Sequence, residues 1–327
     1  MKYIVIGAGV AGVTAAKKLK ENLPESQIVV LDAEGAGLYS RMRLPEVLSG
    51  KLPEAKLILS SGDSLKALGI EWLPKTAASF DPSAKTVALS DGSLLSYDVL
   101  ILAVGASAFQ PPVKGAVPGM TFRNMEDLHR ILKEAEHAKS AVLIGGGLLG
   151  LEAAHALRVR GISISVVECM PRLLPRQLNE EESKILRMKF EEMGDRIYTG
   201  ASVESLEKVS DGWKVHLASG EVLEGGLVLF SAGIRSNLKL AQDAGAQVDR
   251  GIVVGKRLET SLPDVYAVGD CAQLDGTVYG LWMASKDQGN AVAEILAGKM
   301  ESYMSSVYVP NLKIPGIQLK EIMGRKA

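Results

Sequence analysis

The sequence predicts an α/β fold of two doubly wound, three-layer units, because one pattern occurs twice along the chain. A G-x-G-x-x-G turn at residues 7–12 stands between an apolar run and a helical pattern, and a second such turn at residues 145–150 has the same setting. In each copy an acidic residue ends the next apolar run, Asp32 in the first and Glu168 in the second. This arrangement is typical of the Rossmann-like fold, so two copies predict two dinucleotide sites.

The elements of the first copy follow in order. Residues 2–6 are predicted as a buried strand, residues 10–20 as a helix and residues 28–31 as a second strand. The turn places Gly7, Gly9 and Gly12 where a tight bend and the close approach of a pyrophosphate need glycine, at a helix N-terminus that favours anions. Asp32 lies twenty residues past Gly12, where a carboxylate can accept hydrogen bonds from ribose hydroxyls.

The second copy repeats these elements. Residues 141–144 are predicted as a strand, residues 148–160 as a helix and residues 163–167 as the next strand, which leads to Glu168. Its turn carries Gly145, Gly147 and Gly150. A single G-x-G-x-x-G turn is weak support for a dinucleotide site, whereas two complete units in one chain are strong support.

Between and after the two copies the sequence alternates strands with turn signals. The predicted strands are two between 76 and 90, one at 97–104 ending at Gly105, one at 227–230 running to Gly233, and one at 264–268 ending at Gly269. A hairpin-like insertion is expected over 201–222, and Asp91-Gly92 indicates a hairpin turn.

The order of these strands predicts the domain organisation. A strand at 264–268 appears after the second unit has closed, so the simplest topology returns the chain to the first domain. The expected domains are residues 1–108 with 235–300, an inserted domain at 109–234, and a remaining C-terminal segment at 301–327.

Composition narrows the class of partner. The chain has 327 residues, 47% of them hydrophobic, a length and content that suit about two domains with sizeable cores. A formal net charge of −1 gives no indication of a nucleic acid or a membrane surface as the main partner. The apolar N-terminus contains the glycine turn and is therefore interpreted as a strand, which favours a cytoplasmic protein over a secreted one.

The spacing of the cysteines and histidines argues against a redox dithiol and against a metal site. Cys169 and Cys271 are 102 positions apart and form no C-x-x-C pair, so no local redox dithiol is expected. The four histidines show no ligand spacing with one another or with the cysteines, so no metal site is expected.

Four segments together resemble the two-dinucleotide flavoproteins, the pyridine-nucleotide-dependent FAD reductases. That family includes rubredoxin reductases, ferredoxin reductases, NADH oxidases and the flavin module of assimilatory nitrite reductase. The segments are 7–12, 103–106, 145–152 and 266–272, and the resemblance covers about residues 1–323. It implies two Rossmann-like domains, with FAD in the first.

Three further stretches are similar to one branch of that family. Residues 39–50 and 174–178 resemble rubredoxin reductases and nitrite reductase flavin modules, and residues 312–317 resemble the opening of the C-terminal interface domain. Because the sequence ends at Ala327, we expect only a remnant of that domain, and the sequence leaves the oligomeric state open.

The resemblance also implies site residues for each cofactor. For FAD these are Gly7, Gly9, Gly12, Asp32, Arg41, Ala103, Gly105, Gly269, Asp270 and Trp282, with Trp282 just before a helix that begins near Ser285. For the nicotinamide dinucleotide they are Gly145, Gly147, Gly150, Glu152, Glu168 and Gly233. A carboxylate at Glu168 favours NADH over NADPH, since it repels a 2′-phosphate, whereas Arg172 and Arg176 nearby in the sequence act against this preference. Glu152 and Arg41 are the expected catalytic pair beside the nicotinamide and the flavin.

Three hypotheses for function remain open from the sequence. The first is an FAD-dependent NADH:acceptor oxidoreductase that reduces a small iron protein such as rubredoxin. The second is a flavin module that delivers electrons to a nitrite reductase partner. The third is a redox-sensing flavin-binding protein in which turnover is incidental. The redox cysteine of NADH oxidases and coenzyme A disulfide reductases is absent from residues 39–44, which argues against peroxide and disulfide chemistry.

Overall fold

A computed structural model describes residues 1–309 and 311–324 of the chain. Position 310 and positions 325–327, at the end of the expected C-terminal segment, lie outside the described residues. The helices are α1 (Val10–Asn22), α2 (Leu44–Leu48), α3 (Gly62–Ala67), α4 (Met125–Ala135), α5 (Leu148–Val159), α6 (Glu180–Glu192), α7 (Lys239–Asp243), α8 (Trp282–Leu296) and α9 (Leu319–Ile322).

The strands are short and follow the predicted order. They are β1 (Lys2–Ile6), β2 (Gln27–Leu31), β3 (Leu38–Tyr39), β4 (Ile58–Ser60), β5 (Glu71–Leu73), β6 (Ala77–Asp81), β7 (Thr86–Leu89), β8 (Leu94–Ser96), β9 (Val99–Leu102), β10 (Ala106–Ala108), β11 (Ser140–Ile144), β12 (Ser163–Glu168), β13 (Arg196–Thr199), β14 (Val203–Val209), β15 (Gly212–Leu217), β16 (Val222–Gly225), β17 (Leu227–Phe230), β18 (Ile234–Ser236), β19 (Ile252–Val254), β20 (Val265–Ala267) and β21 (Ala272–Leu274).

The chain divides into two compact units. The first unit comprises Met1–Ser40, Ala55–Ser107 and Arg235–Tyr308. The second comprises Arg41–Glu54, Ala108–Ile234 and the chain from Val309 onward. The sequence placed residues 41–54 in the first domain. In the structure they group with the second unit, since α2 contacts α4 and α5 and its Leu44 and Leu48 are buried.

The first unit is built on a five-stranded parallel sheet in the order β20-β9-β1-β2-β5. Its strands are apolar on both faces, as parallel strands covered by other elements must be. Val5 and Ile101 at the centre are 0% exposed. Beside this sheet lies an antiparallel meander, β6-β7-β8, whose tight turn at Asp91-Gly92 confirms the hairpin signal.

The second unit repeats the parallel core with four strands in the order β13-β12-β11-β17. The insertion predicted over 201–222, with turns at Asp211-Gly212 and Ser219-Gly220, is a three-stranded antiparallel sheet, β14-β15-β16, whose strands reverse at both turns and which extends to Gly225. The predicted class, α/β with two Rossmann-like units, is confirmed.

Helices α1 and α8 pack closely in the first unit. The contact uses small residues: a Cβ on Gly289 of α8 would overlap the main-chain oxygen of Ala11 in α1. Helix α8 begins at Trp282 and not near Ser285, so the expected helix start was three residues late. The bulky Trp282 gave no helix-start signal, and packing against the core of the unit places it in the first turn.

A buried ion pair fixes helix α5 in the second unit. Arg158 near the end of α5 binds Asp195, whose side chain is 1% exposed, and its second terminal nitrogen lies 2.7 Å from Nδ1 of His155. Burial makes the carboxylate costly without its cation, so the pair constrains how α5 lies against the chain before β13.

Replacing Arg158 by Met should therefore lower the free energy of unfolding by about 3 kcal/mol, because the buried Asp195, whose pKa burial raises to about 6 even beside Arg158, loses its cation and its hydrogen-bond partner. Arg187→Met is the matched control, because Arg187 forms an exposed ion pair with Glu191 within helix α6. This substitution should lower the free energy of unfolding by less than about 1 kcal/mol. Urea unfolding followed by circular dichroism measures both. Equal losses for the two variants would contradict the structural role of Arg158.

Candidate dinucleotide sites

The first glycine turn joins β1 to α1 by direct contact between main chains. Gly7 has φ of 117°, and a Cβ there would overlap the carbonyl of Ala103 at the end of β9. A Cβ on Gly12, in the first turn of α1, would overlap the carbonyl oxygen of Gly7. In contrast, a Cβ on Gly9 would meet no protein atom within 4 Å. Two glycines thus serve packing, and the middle one faces open space at the helix N-terminus.

The second glycine turn has the same division of roles. Gly145 has φ of 121°, and its Cβ would overlap the carbonyl of Ser231 beyond β17. A Cβ on Gly150 would overlap the carbonyl oxygen of Gly145, whereas Gly147 again has nothing within 4 Å. Both turns therefore leave main-chain N–H groups at a helix N-terminus open to a ligand, which is the geometry that binds a pyrophosphate.

Asp32 lies at the carboxyl end of β2 and is 4% exposed. Its Oδ2 accepts hydrogen bonds from the main-chain N–H of Gly37 at 2.7 Å and from Nε1 of Trp72 at 3.1 Å. Its Oδ1 accepts from the N–H of Glu34 at 3.2 Å. These donors hold the carboxylate in place and leave acceptor capacity on Oδ1.

Glu168, the last residue of β12, occupies the equivalent position in the second unit. Its Oε2 accepts the main-chain N–H of Gly146 at 2.7 Å, and its Oε1 accepts that of Met170 at 2.8 Å. The nearby Arg172 donates to the carbonyls of Leu178 and Pro175, at 3.0 and 3.2 Å. The Arg172 side chain therefore stabilises its own loop through these two hydrogen bonds.

The other expected glycines end strands of the parallel sheets. Gly105 after β9 and Gly233 after β17 both have positive φ, 63° and 96°, and nothing within 4 Å of a Cβ. The first is held by Asn237, whose main-chain N–H donates to the Gly105 carbonyl at 3.0 Å and whose side chain donates to that of Val104 at 2.8 Å.

Asp270 lies in a single 3-10 turn, Gly269–Cys271, after β20. Helix α8 supports this turn through two side chains. Ser285 Oγ donates to Oδ1 of Asp270 at 3.0 Å, and the N–H of Gly269 donates to Oε1 of the buried Gln288 at 2.7 Å. The turn and the start of α8 at Trp282 are thereby fixed relative to each other.

Glu152 is on the first turn and a half of α5 and is only 8% exposed. Its Oε1 accepts the main-chain N–H of Lys313 at 2.8 Å. Burial raises the pKa of Glu152 above its ordinary value, the N–H and charge of Lys313 oppose that shift, and the Glu46 carboxylate adds to it. Arg41 donates from Nη1 to the carbonyl of Arg123 at 3.3 Å. Lys313 is thus a charged neighbour of Glu152 that the sequence did not single out.

Three residues of these sites were missed from the sequence. Trp72 and Gln288 belong to no sequence motif. Yet Trp72 donates a hydrogen bond to Asp32, and Gln288 accepts one from the N–H of Gly269. Lys313 stands 161 positions from Glu152, and only its place in the stretch 312–317 gave a signal.

The cysteines have different surroundings. Cys271 is buried, and burial raises the pKa of its thiol to about 11, so it stays protonated at neutral pH. Cys169 is exposed beside Glu168. Within residues 1–309 and 311–324 there is no cluster of three or more potential metal ligands, and no described helix combines the length and apolar character needed to cross a membrane.

Residues 1–289 match the family described as pyridine nucleotide-disulphide oxidoreductase. The chain belongs to this family. The predicted branch is confirmed as well, because a rubredoxin-NAD(+) reductase and a nitrite reductase are among the relatives of this chain.

Two curated relatives and one solved structure illustrate the similarity. The rubredoxin-NAD(+) reductase of Acinetobacter baylyi is 31% identical over 310 residues, 90% of this chain and 78% of the relative. The assimilatory nitrate reductase electron transfer subunit of Bacillus subtilis is 36% identical over 199 residues, 61% of this chain and 26% of the relative. A covalent putidaredoxin reductase–putidaredoxin complex is 28% identical with a TM-score of 0.87, covering 93% of this chain and 76% of that one.

The chain covers only part of several relatives. It spans about a quarter of the length of the nitrate and nitrite reductase proteins that it matches.

The glycine geometry predicts different effects of adding one methyl group. Gly12→Ala and Gly150→Ala should destabilise their units by more than about 2 kcal/mol, because the Cβ meets a main-chain carbonyl. Gly9→Ala and Gly147→Ala should change stability by less than about 1 kcal/mol, since each Cβ enters open space. Thermal unfolding of the four variants measures this. A Gly9→Ala variant as unstable as Gly12→Ala would show that the turn is packed differently.

Proposed function

We propose that this chain is an FAD-dependent NADH:acceptor oxidoreductase that takes a hydride from NADH and passes electrons to a small iron protein such as rubredoxin. The observation that carries the proposal is the presence of two complete glycine-turn cradles, each with a buried acidic residue at the next strand end. Relatives named as rubredoxin reductases support the iron protein as acceptor. We place this activity in the cytoplasm.

The first unit suits FAD. The open face of Gly9 leaves room for the pyrophosphate against the N-terminus of α1, and Asp32 would hold the adenosine ribose. Other residues proposed for this site are Gly7, Gly12, Ala103, Gly105, Gly269, Asp270, Arg41 and Trp282. Helix α8 contributes free N–H groups from Trp282 onward, which stabilise negative charge placed there.

The second unit suits NADH. Gly147 would face the pyrophosphate, with Gly145, Gly150 and Gly233 shaping the turn around it. Glu168 would accept from the ribose 2′-hydroxyl. Arg172, which could have favoured a 2′-phosphate, already binds two carbonyls of its loop. This arrangement supports NADH as the cofactor in preference to NADPH.

Glu152 and Arg41 are the proposed catalytic pair. Both belong to the second unit, and Glu152 stands on the first turns of the helix that follows the NADH cradle. Its carboxylate would orient the nicotinamide, and Arg41 would donate a hydrogen bond without giving up its proton. The bound flavin would supply the remaining chemistry, since it accepts a hydride and releases electrons one at a time.

A second acceptor is supported by a specific observation. Several relatives are nitrate or nitrite reductase proteins, which makes a nitrite reductase partner the alternative destination of the electrons. Exposed cations of the second unit, such as Lys51, offer positive charge to an acidic partner.

The visible spectrum tests the proposal directly. The purified protein should be yellow, and NADH should bleach it faster than about one per second in a stopped-flow experiment. Gly147→Ala should slow the bleaching at low NADH while leaving the colour unchanged, whereas Gly9→Ala should lose the colour. Added rubredoxin should then reoxidise the flavin faster than air does. A colourless protein that takes up no added FAD would refute the proposal.

Glu168→Gln tests the choice of nicotinamide cofactor. The amide keeps the size of the side chain and can accept only one of the two main-chain N–H groups that Glu168 binds, and it removes the negative charge, so discrimination against NADPH should fall about tenfold. The ratio of kcat/KM for NADH and NADPH measures this. Glu182→Gln, a helix-capping carboxylate of the same unit, is the control and should leave the ratio unchanged.

A further inference from the structure

A single residue of the C-terminal segment contacts both elements that carry the proposed catalytic pair. The main-chain N–H of Lys313 donates to Oε1 of Glu152 at 2.8 Å. Its side-chain Nζ donates to the carbonyl of Met42 at 3.2 Å, and Met42 is the neighbour of Arg41 in the 3-10 turn Arg41–Arg43. All of these residues belong to the second unit.

The segment that carries Lys313 is firmly held. Its apolar side chains at alternating or helical spacing are 2 to 3% exposed: Leu312, Ile314, Ile317 and Leu319. A turn closes between Ile314 and Ile317, and the short helix α9 packs against α6. The N–H of Lys313 is therefore presented to Glu152 by a fixed main chain, while the lysine side chain itself is exposed.

We propose that Lys313 is a positioning residue for this pair: its N–H fixes the carboxylate of Glu152, and its ammonium ties the segment to the turn of Arg41. This inference rests on the proposed roles of Glu152 and Arg41. It differs from the expectation that a base in the loop 39–50 alone pairs with Glu152.

The charges around Glu152 give the inference a measurable consequence. The groups that act on it are Lys313 from the C-terminal segment and Glu46 from α2, of opposite sign. His155, one turn further along α5, is largely neutral at pH 7 because burial lowers its pKa to about 4. Removing the ammonium of Lys313 leaves burial and Glu46 less opposed, so the pKa of Glu152 should rise.

Carboxyl titration by NMR tests this consequence. The protein is labelled with ¹³C at the glutamate carboxyls, and Glu152→Gln assigns the resonance by its loss. Lys313→Met should raise the pKa of Glu152 above that in the unmodified protein. Lys313→Arg, which keeps the positive charge, should leave that pKa unchanged. Lys320→Met is the matched control, because it removes an exposed lysine from the same segment and should leave the titration unchanged. An identical titration in Lys313→Met and Lys320→Met would overturn the proposal.

The hydrogen bond itself has a separate readout. In protein labelled with ¹⁵N-lysine, the amide resonance of Lys313 should shift with the titration of Glu152 and stop doing so in Glu152→Gln. An amide shift that is the same in both proteins would overturn the proposal. Neither NMR measurement needs turnover, so its result is distinct from that of the proposed function. With flavin bound, Lys313→Met should also slow bleaching by NADH about threefold at neutral pH, and Lys320→Met should not.

Discussion

Main-chain contact at the two glycine turns is the constraint on which the rest of the structure depends. In each turn the third glycine of the motif packs against the carbonyl oxygen of the first glycine. The first glycine in turn packs against a main-chain carbonyl that follows a neighbouring strand of the sheet. No side chain fits at either point, so the helix N-terminus is held at the carboxyl edge of the parallel sheet. The proposed binding of the two pyrophosphates follows from that placement, because it brings an open middle glycine and the first N–H groups of a helix to the same edge.

The two units satisfy the same constraint with different supporting side chains. In the first, Asp32 is held by Gly37 and by the indole of Trp72, both outside the glycine turn. In the second, Glu168 accepts the N–H of Gly146, which lies within the turn. The longer side chain of glutamate makes this reach possible. The acid of the second unit therefore fixes its own phosphate loop, while that of the first is fixed by residues beyond β2.

The sequence predicted those strands, helices and turns whose residue patterns are local. The strands β1 and β17 and the start of α5 were predicted to the residue, because buried parallel strands are continuous apolar runs and glycine turns mark their ends. Contacts between distant segments leave no local pattern. The association of residues 41–54 with the second unit and the contact of Lys313 with Glu152 depend on tertiary packing, which apolar periodicity alone does not reveal.

The surroundings of Glu152 also decide which of the proposed catalytic groups can change its protonation. An arginine such as Arg41 does not act as a proton donor or acceptor at ordinary pH. Burial and the nearby Glu46 raise the pKa of Glu152, while Lys313 acts in the opposite direction. The balance among these three influences therefore sets the charge of the one group in the pair that can titrate. A segment far along the chain thus contributes, after burial, to the electrostatics at the start of α5, and for this reason we propose residues 311–319 as part of the site.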